Sequence, residues 1–209
     1  MDVELRPLRQ QDFALARQFA ITGMHLGRYT RNRLELAMYS RYFWNTEITQ
    51  ATRAYGAYLD GQFVGALLAK MAGESPVFPS KRRILANRIT DWCVYGLYGA
   101  MTAPYDQANN EMLQKYRQTN EPDGEILFLA VDPKVNGQGI GTKLVAQLRR
   151  DEQWKLIYLY SDSSCSYQFY DHRGFERVGE KQIELSASGK VIPLTCYLYS
   201  KLLGEENAE

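Results

Sequence analysis

The chain has 209 residues, 45% of them hydrophobic, enough for one well-packed domain and short for two. Its 25 basic and 24 acidic residues leave a net charge of +1, so no global field favours nucleic acid or a membrane surface. Met1 to Arg6 carries no apolar signal core, and the longest uncharged run, Trp92 to Tyr105, falls short of the roughly 20 residues a spanning helix needs; a soluble, cytoplasmic protein is expected.

Residues 3–8 read as a short strand, and Asp12 as the cap of a helix whose apolar positions Phe13, Ala16, Phe19 and Ala20 keep helical spacing. Gly23 and Gly27 interrupt it. Residues 31–44 form a second helical segment, and two strands follow, Ala54 to Leu59 and Phe63 to Met71, joined by the hairpin signal Asp60-Gly61. Residues 75–120 read as an insertion, opened by Pro76 and Pro79 and made of two helices broken near Pro104. Glu125 to Val131 is then a strand, 139–153 a helix with Ile140, Leu144, Val145 and Leu148 on one face, and Leu156 to Tyr160 a strand. A short helix at 164–173 precedes two strands, Phe175 to Leu185 and Val191 to Leu198, around a turn at 186–190. The acidic tail Gly204 to Glu209 is expected to fray.

The stretch Val131-Asp-Pro-Lys-Val-Asn-Gly-Gln-Gly-Ile-Gly-Thr142 carries the strongest chemical signal. Closely spaced glycines let a ligand approach the backbone, and a helix start offers unpaired N–H groups and the positive end of its dipole, so phosphate is the natural guest. A P-loop needs Gly-Lys-Ser/Thr, whereas Gly141 is followed by Thr142 and then Lys143. A dinucleotide fingerprint needs a third glycine where Thr142 stands and a loop directly off the strand. Asp162, at the end of the next apolar run, is placed as a ribose-binding acid would be.

A third loop type fits better. Asn136, Gly139 and Gly141 resemble the coenzyme A pyrophosphate loop of the GCN5-related N-acetyltransferase (GNAT) superfamily. Tyr167-Gln-Phe-Tyr-Asp-His-Arg-Gly-Phe-Glu-Arg-Val-Gly179 is similar to the family's late helix-to-strand element, with Tyr170 four residues before Gly174-Phe175. The two motifs span residues 124–185, with a weaker likeness at Leu5 to Phe13. The family loop often begins with Gln or Arg where this chain has Asn136.

The resemblance implies an α/β (α+β) GNAT fold over residues 1–209: a mixed, mostly antiparallel sheet flanked by helices, with a helical insertion before the cofactor-binding strand. It also implies an acetyl-CoA-dependent N-acetyltransferase acting by direct transfer to a primary amine, small molecule or peptide. Leu129, Ala130 and Val131 would hold the pantetheine arm, and Asn136, Gly137, Gln138, Gly139, Ile140, Gly141 and Thr142 the pyrophosphate. Tyr170 matches the family's general acid, a neutral phenol with an O–H that can be aimed. Glu125 resembles the catalytic glutamate of the family's histone acetyltransferases, acting directly or through water; strand alternation puts it on the face of Leu127 and Leu129. A backbone N–H near Ala130 or Val131 is the expected oxyanion donor if the strand bulges there. A non-catalytic acyl-CoA-binding module, and a Rossmann-type domain, are the alternatives.

Cys93, Cys165 and Cys196 are widely spaced and show no C-x-x-C pairing, which suits reduced thiols. Cys165 is a weak nucleophile candidate, His25 and His172 offer no metal-ligand spacing, and no metal is expected. Tyr39, Tyr42, Phe43 and Trp44, with Trp92, Tyr95 and Tyr98, are read as core before acceptor pocket. The acceptor's identity and the oligomeric state stay open, a second copy of the chain being the candidate partner for the aromatic insertion.

Overall fold

The computed structural model describes residues 3–28, 30, 32–187 and 190–204, the side chains of 28, 91–102, 186, 187 and 190 excepted. The tail beyond Gly204, the centre of the 186–190 turn, Met1 and Asp2, and the side chains of Trp92, Cys93, Tyr95 and Tyr98 therefore lie outside the described residues.

The strands are β1 (Val3–Pro7), β2 (Arg53–Leu59), β3 (Gln62–Met71), β4 (Gly124–Val131), β5 (Leu156–Asp162), β6 (Glu176–Ala187) and β7 (Lys190–Leu202). They form one sheet in the order β1-β2-β3-β4-β5-β7-β6. All neighbours are antiparallel except β4 and β5. The cause is local: Asp60 and Gly61 both take positive φ (48° and 79°), as a tight hairpin turn demands, whereas β4 reaches β5 only through a helical crossover. A single parallel pair in such a sheet excludes the Rossmann alternative, which needs a mostly parallel one.

The helices are α1 (Phe13–Gly23), α2 (Arg33–Gln50), α3 (Lys81–Tyr116), α4 (Ile140–Asp151) and the short α5 (Gln168–Asp171). One sheet face buries Leu144, Val145 and Leu148 of α4 against Val64, Leu67, Ile157 and Leu159. The other buries Phe13, Phe19, Trp44 and Ile48 of α1 and α2 against Tyr58, Leu68 and Phe128. Asn32 caps α2 by accepting from the Glu35 amide at 2.9 Å, and Ser80 caps α3 by accepting from the Arg83 amide.

Two local expectations are corrected. Asp12 does not cap α1 with its side chain; it is buried and accepts from the Tyr58 hydroxyl at 2.6 Å and from Arg9 at 3.0 Å, so a tertiary hydrogen bond and a local ion pair take the carboxylate. The 75–120 segment is one helix after Ser80, and α3 runs through Pro104 unbroken. A proline removes one i→i−4 hydrogen bond; packing of Ala108 and Met112 on Tyr158, Leu194 and Leu198 outweighs that loss.

β4 carries the main irregularity. Leu68 pairs with Phe128 but Ala69 with Ile126, so Leu127 is an extra residue without a partner on β3. Accordingly Leu127 and Phe128 both face the α1/α2 core, while Ile126 and Leu129 face α4. The bulge thus sits at Leu127, not at Ala130 or Val131, and it breaks the alternation: Glu125 shares a face with Leu127 but not with Leu129.

Leu148 is fully buried at the centre of the α4 face. Leu148→Ala should lower unfolding stability by about 2–5 kcal/mol, read from urea denaturation; a loss under about 1 kcal/mol would show that α4 is not seated as described.

Candidate functional site

β4 and β5 are paired only at Gly124–Ile157 and Glu125–Tyr158. Beyond these residues the strands part, and a cavity of about 450 Å³ opens, walled by Ile126 to Val131 on one side and Tyr160 to Asp162 on the other. All ten residues read as cofactor-binding line it: Leu129, Ala130, Val131 and the loop Asn136 to Thr142. Tyr170 lines it too.

The geometry of the loop suits an anion. Asp132 accepts from the Lys134 amide at 3.0 Å and tightens a turn over 133–135. Gly137 and Gly139 then take φ of 84° and 69°, a region costly for residues with a Cβ. The Lys143 amide makes the first helical bond, to the Gly139 carbonyl at 3.0 Å, so the amides of Ile140, Gly141 and Thr142 precede the ladder at the positive end of α4. A Cβ at Gly141 would come within 3.0 Å of the Phe169 ring, which explains the third glycine by packing.

Arg173 was not singled out by sequence, although it sits inside the second motif. Its guanidinium stacks 3.7 Å over the Phe169 ring, donates to Thr142 Oγ1 at 3.0 Å, and has no carboxylate partner among the described residues. A cation and a helix N-terminus therefore meet at one end of the cavity. Gly174, with φ of 67°, turns the chain from α5 into β6.

The Tyr170 ring packs against Phe169, Phe175 and Tyr199 at centroid distances of 5.2–5.7 Å. Its hydroxyl makes no hydrogen bond to a described residue, and burial, with Cys165 close by, raises the phenol above its ordinary range. It stays protonated at neutral pH.

A second cavity, of about 690 Å³, lies on the far side of Leu127 between α2, α3 and the sheet. The two share Met24, Tyr105, Ile126, Leu127, Tyr160, Asp162 and Cys165. Glu125 lines the second cavity and Tyr170 the first, so the candidate base and acid stand on either side of the shared wall. Glu125 accepts from the Tyr158 hydroxyl at 2.9 Å, yet burial still raises its pKa. Burial, and then the charge of Glu125, pushes Glu47 to about 8, against the weaker pull of Gln50 and Lys70. Glu47 went unremarked in the sequence because nothing near the end of a long helix marks an acid as facing another acid 78 positions on.

The remaining candidates fall into place. Burial, and then Asp162, pushes the Cys165 thiol up to about 12, which disfavours the thiolate a nucleophile needs. Asp162 is not a free ribose acid: it accepts from the Ser164 amide at 2.7 Å and hydroxyl at 2.6 Å. His172 is exposed, and no cluster of metal-ligating side chains occurs among the described residues. Trp44 is core, whereas Tyr39, Tyr42 and Phe43 line the second cavity. No described helix is long and apolar enough to cross a membrane.

The family model described as "Acetyltransferase (GNAT) domain" matches residues 106–177, from the last turns of α3 through the loop and α5. Among solved structures, Arabidopsis thaliana NAA60 in complex with a bisubstrate analogue is 16% identical, with a TM-score of 0.55 over 96% of this chain and 98% of that one. The PaiA N-acetyltransferase of Thermoplasma acidophilum in complex with coenzyme A is 13% identical, with a TM-score of 0.51 over 97% and 99%. A ribosomal-protein-alanine N-acetyltransferase from Brucella melitensis is 15% identical, with a TM-score of 0.51 over 95% and 99%. A search of curated protein sequences returned no match.

The acid pair is testable without a ligand. Between about pH 4.5 and 8 the folded protein keeps a Glu47 proton that the unfolded chain has released, so this group costs stability as pH rises through that window. Lys70, Gln50 and Glu125, the last with Tyr158 and Arg117 near it, face the site. Glu47→Gln should therefore gain melting temperature over the parent as pH rises from 5 to 8; parallel curves would contradict the buried pair.

Proposed function

We propose that this chain, a member of the GNAT superfamily, is an acetyl-CoA-dependent N-acetyltransferase that moves the acetyl group directly to a primary amine. The observation that carries this reading is the parting of β4 from β5, which leaves the β4 edge from Ile126 to Val131 unpaired beside an anion-binding helix start.

The residues present fit the group. Amides of residues 137–142 and the Arg173 guanidinium suit its pyrophosphate, and the free β4 edge at Leu129 to Val131 offers peptide donors and acceptors to the pantetheine amides. Acetyl-CoA supplies the thioester, whose carbonyl carbon forms the new C–N bond as its C–S bond breaks.

The chain's residues handle the protons and the developing charge. An aliphatic amine with a pKa of about 10.4 is only about one part in a thousand nucleophilic at neutral pH, so a base is needed. Glu125, with its pKa raised by burial, takes the amine proton on the acceptor side, directly or through water. The Tyr170 hydroxyl delivers a proton to the departing sulfur on the other side. The Leu127 amide, outside the β3 ladder, is the available donor to a carbonyl oxygen gaining charge.

Gly139→Glu places an anion in open space at the loop and an L side chain at positive φ. Coenzyme A affinity should fall by at least about tenfold in calorimetry on the folded variant; an unchanged Kd would remove the loop from the cofactor site.

Tyr170→Phe keeps the ring and its aromatic contacts and deletes the O–H. Turnover with a good amine should fall by about 10² to 10⁴-fold while the coenzyme A Kd holds. Full turnover per folded molecule would make Tyr170 structural and leave water or the acceptor to deliver the proton.

A further inference from the structure

We infer that the second cavity is built for a small aliphatic dication, a diamine or polyamine, held by Glu47 and Asn109; under the acetyltransferase reading above, on which its role as acetyl acceptor rests, that dication receives the acetyl group.

Charge is the first observation. Glu47, Asp106, Glu125 and Asp162 line the cavity, and no Lys or Arg stands among its described lining residues. Asp162 is satisfied by the Ser164 turn, and Asp106 lies at the exposed rim. Glu47 and Glu125 remain as a partly buried pair, in which burial and the charge of Glu125 keep a proton on Glu47 that a bound ammonium would displace. Lys70 does not relieve them from within, since it lies outside the cavity and donates to Gln50 Oε1 at 3.3 Å. Tyr158, Tyr160 and Arg117 are the other polar groups around Glu125.

Asn109 is the second, independent observation. It lines the same cavity, is only 8% exposed, and its Oδ1 has no hydrogen-bond partner among the described residues. Buried acceptors are nearly always paired, and what this one lacks is an N–H donor. An ammonium donates three such bonds, enough for a carboxylate and the amide oxygen together.

The walls complete the selection. Tyr39, Tyr42 and Phe43 of α2 line it, and aromatic rings suit both a cation and a methylene chain. A cavity of about 690 Å³ has the size of small-molecule sites. An amino acid would bring its own carboxylate against the acids with no lining cation to answer it. A monoamine at Glu125 would leave Glu47 and Asn109 without an ammonium of their own.

Binding tests this directly, because it does not require turnover. In calorimetry with coenzyme A present, 1,4-diaminobutane should bind at least about tenfold more tightly than n-butylamine, whose amine has a similar basicity, and spermidine at least as tightly as the diamine. Glu47→Gln should shrink the diamine preference to within a fewfold of unity. Equal affinities, or tighter binding of glutamate or of a short peptide free of basic residues, would overturn the inference. Release of coenzyme A thiol is measured in parallel, with acetyl-CoA in place of coenzyme A. Selective diamine binding without thiol release would refute the acetyltransferase reading and leave the dication cavity standing, whereas thiol release with n-butylamine as fast as with the diamine would refute the dication acceptor alone.

Discussion

Everything at the site depends on β4 and β5 staying together for only two residue pairs. Parallel strands joined by a crossover helix need not stay paired along their length, and here Glu125 opposite Tyr158 is the last paired position before they diverge. The strands' outer neighbours hold them apart: β3 stays paired to β4 as far as Val131, and β7 to β5 as far as Asp162. An unpaired strand edge inside a protein exposes peptide groups that need partners. A ligand carrying amides of its own, laid along that edge, meets the need.

The bulge at Leu127 gives the gap its second property. By adding one residue to β4 only, it turns both Leu127 and Phe128 toward the α1/α2 layer and leaves one amide outside the ladder where the two cavities touch. The cavities differ in electrostatic character. One ends at the α4 N-terminus and Arg173, which favour anions; the other is walled by carboxylates and tyrosines, which favour cations. A phosphorylated donor and a basic acceptor would thus enter from opposite sides and meet at neutral ground, with the acid and base candidates divided between them.

Local chemistry made part of this legible in the sequence. The glycine loop and the Tyr170-to-Phe175 element are short-range patterns; the loop, Tyr170 and Arg173 line one cavity. The hairpin at Asp60-Gly61 and the apolar stripe of α4 were equally plain. What the sequence hid was set by tertiary context. The continuity of α3 through Pro104 depends on packing against β6 and β7, which local propensity does not report. Strand alternation put Glu125 and Leu129 on one face because a bulge leaves no clear mark in residue types. Glu47 and Asn109 reach the site from helices whose docking no spacing rule predicts, and nothing in the residue types of the second motif marks Arg173 as facing Thr142.

The most direct test of the account is a crystal structure with coenzyme A bound. The pyrophosphate should lie on the amides of residues 137–142 beside Arg173, the pantetheine arm along the β4 edge from Leu129 to Val131, and the thiol at the wall shared by Leu127, Tyr160 and Cys165, within reach of the Tyr170 hydroxyl. Coenzyme A seated anywhere outside the gap between β4 and β5, or with its thiol pointing away from that wall, would contradict it.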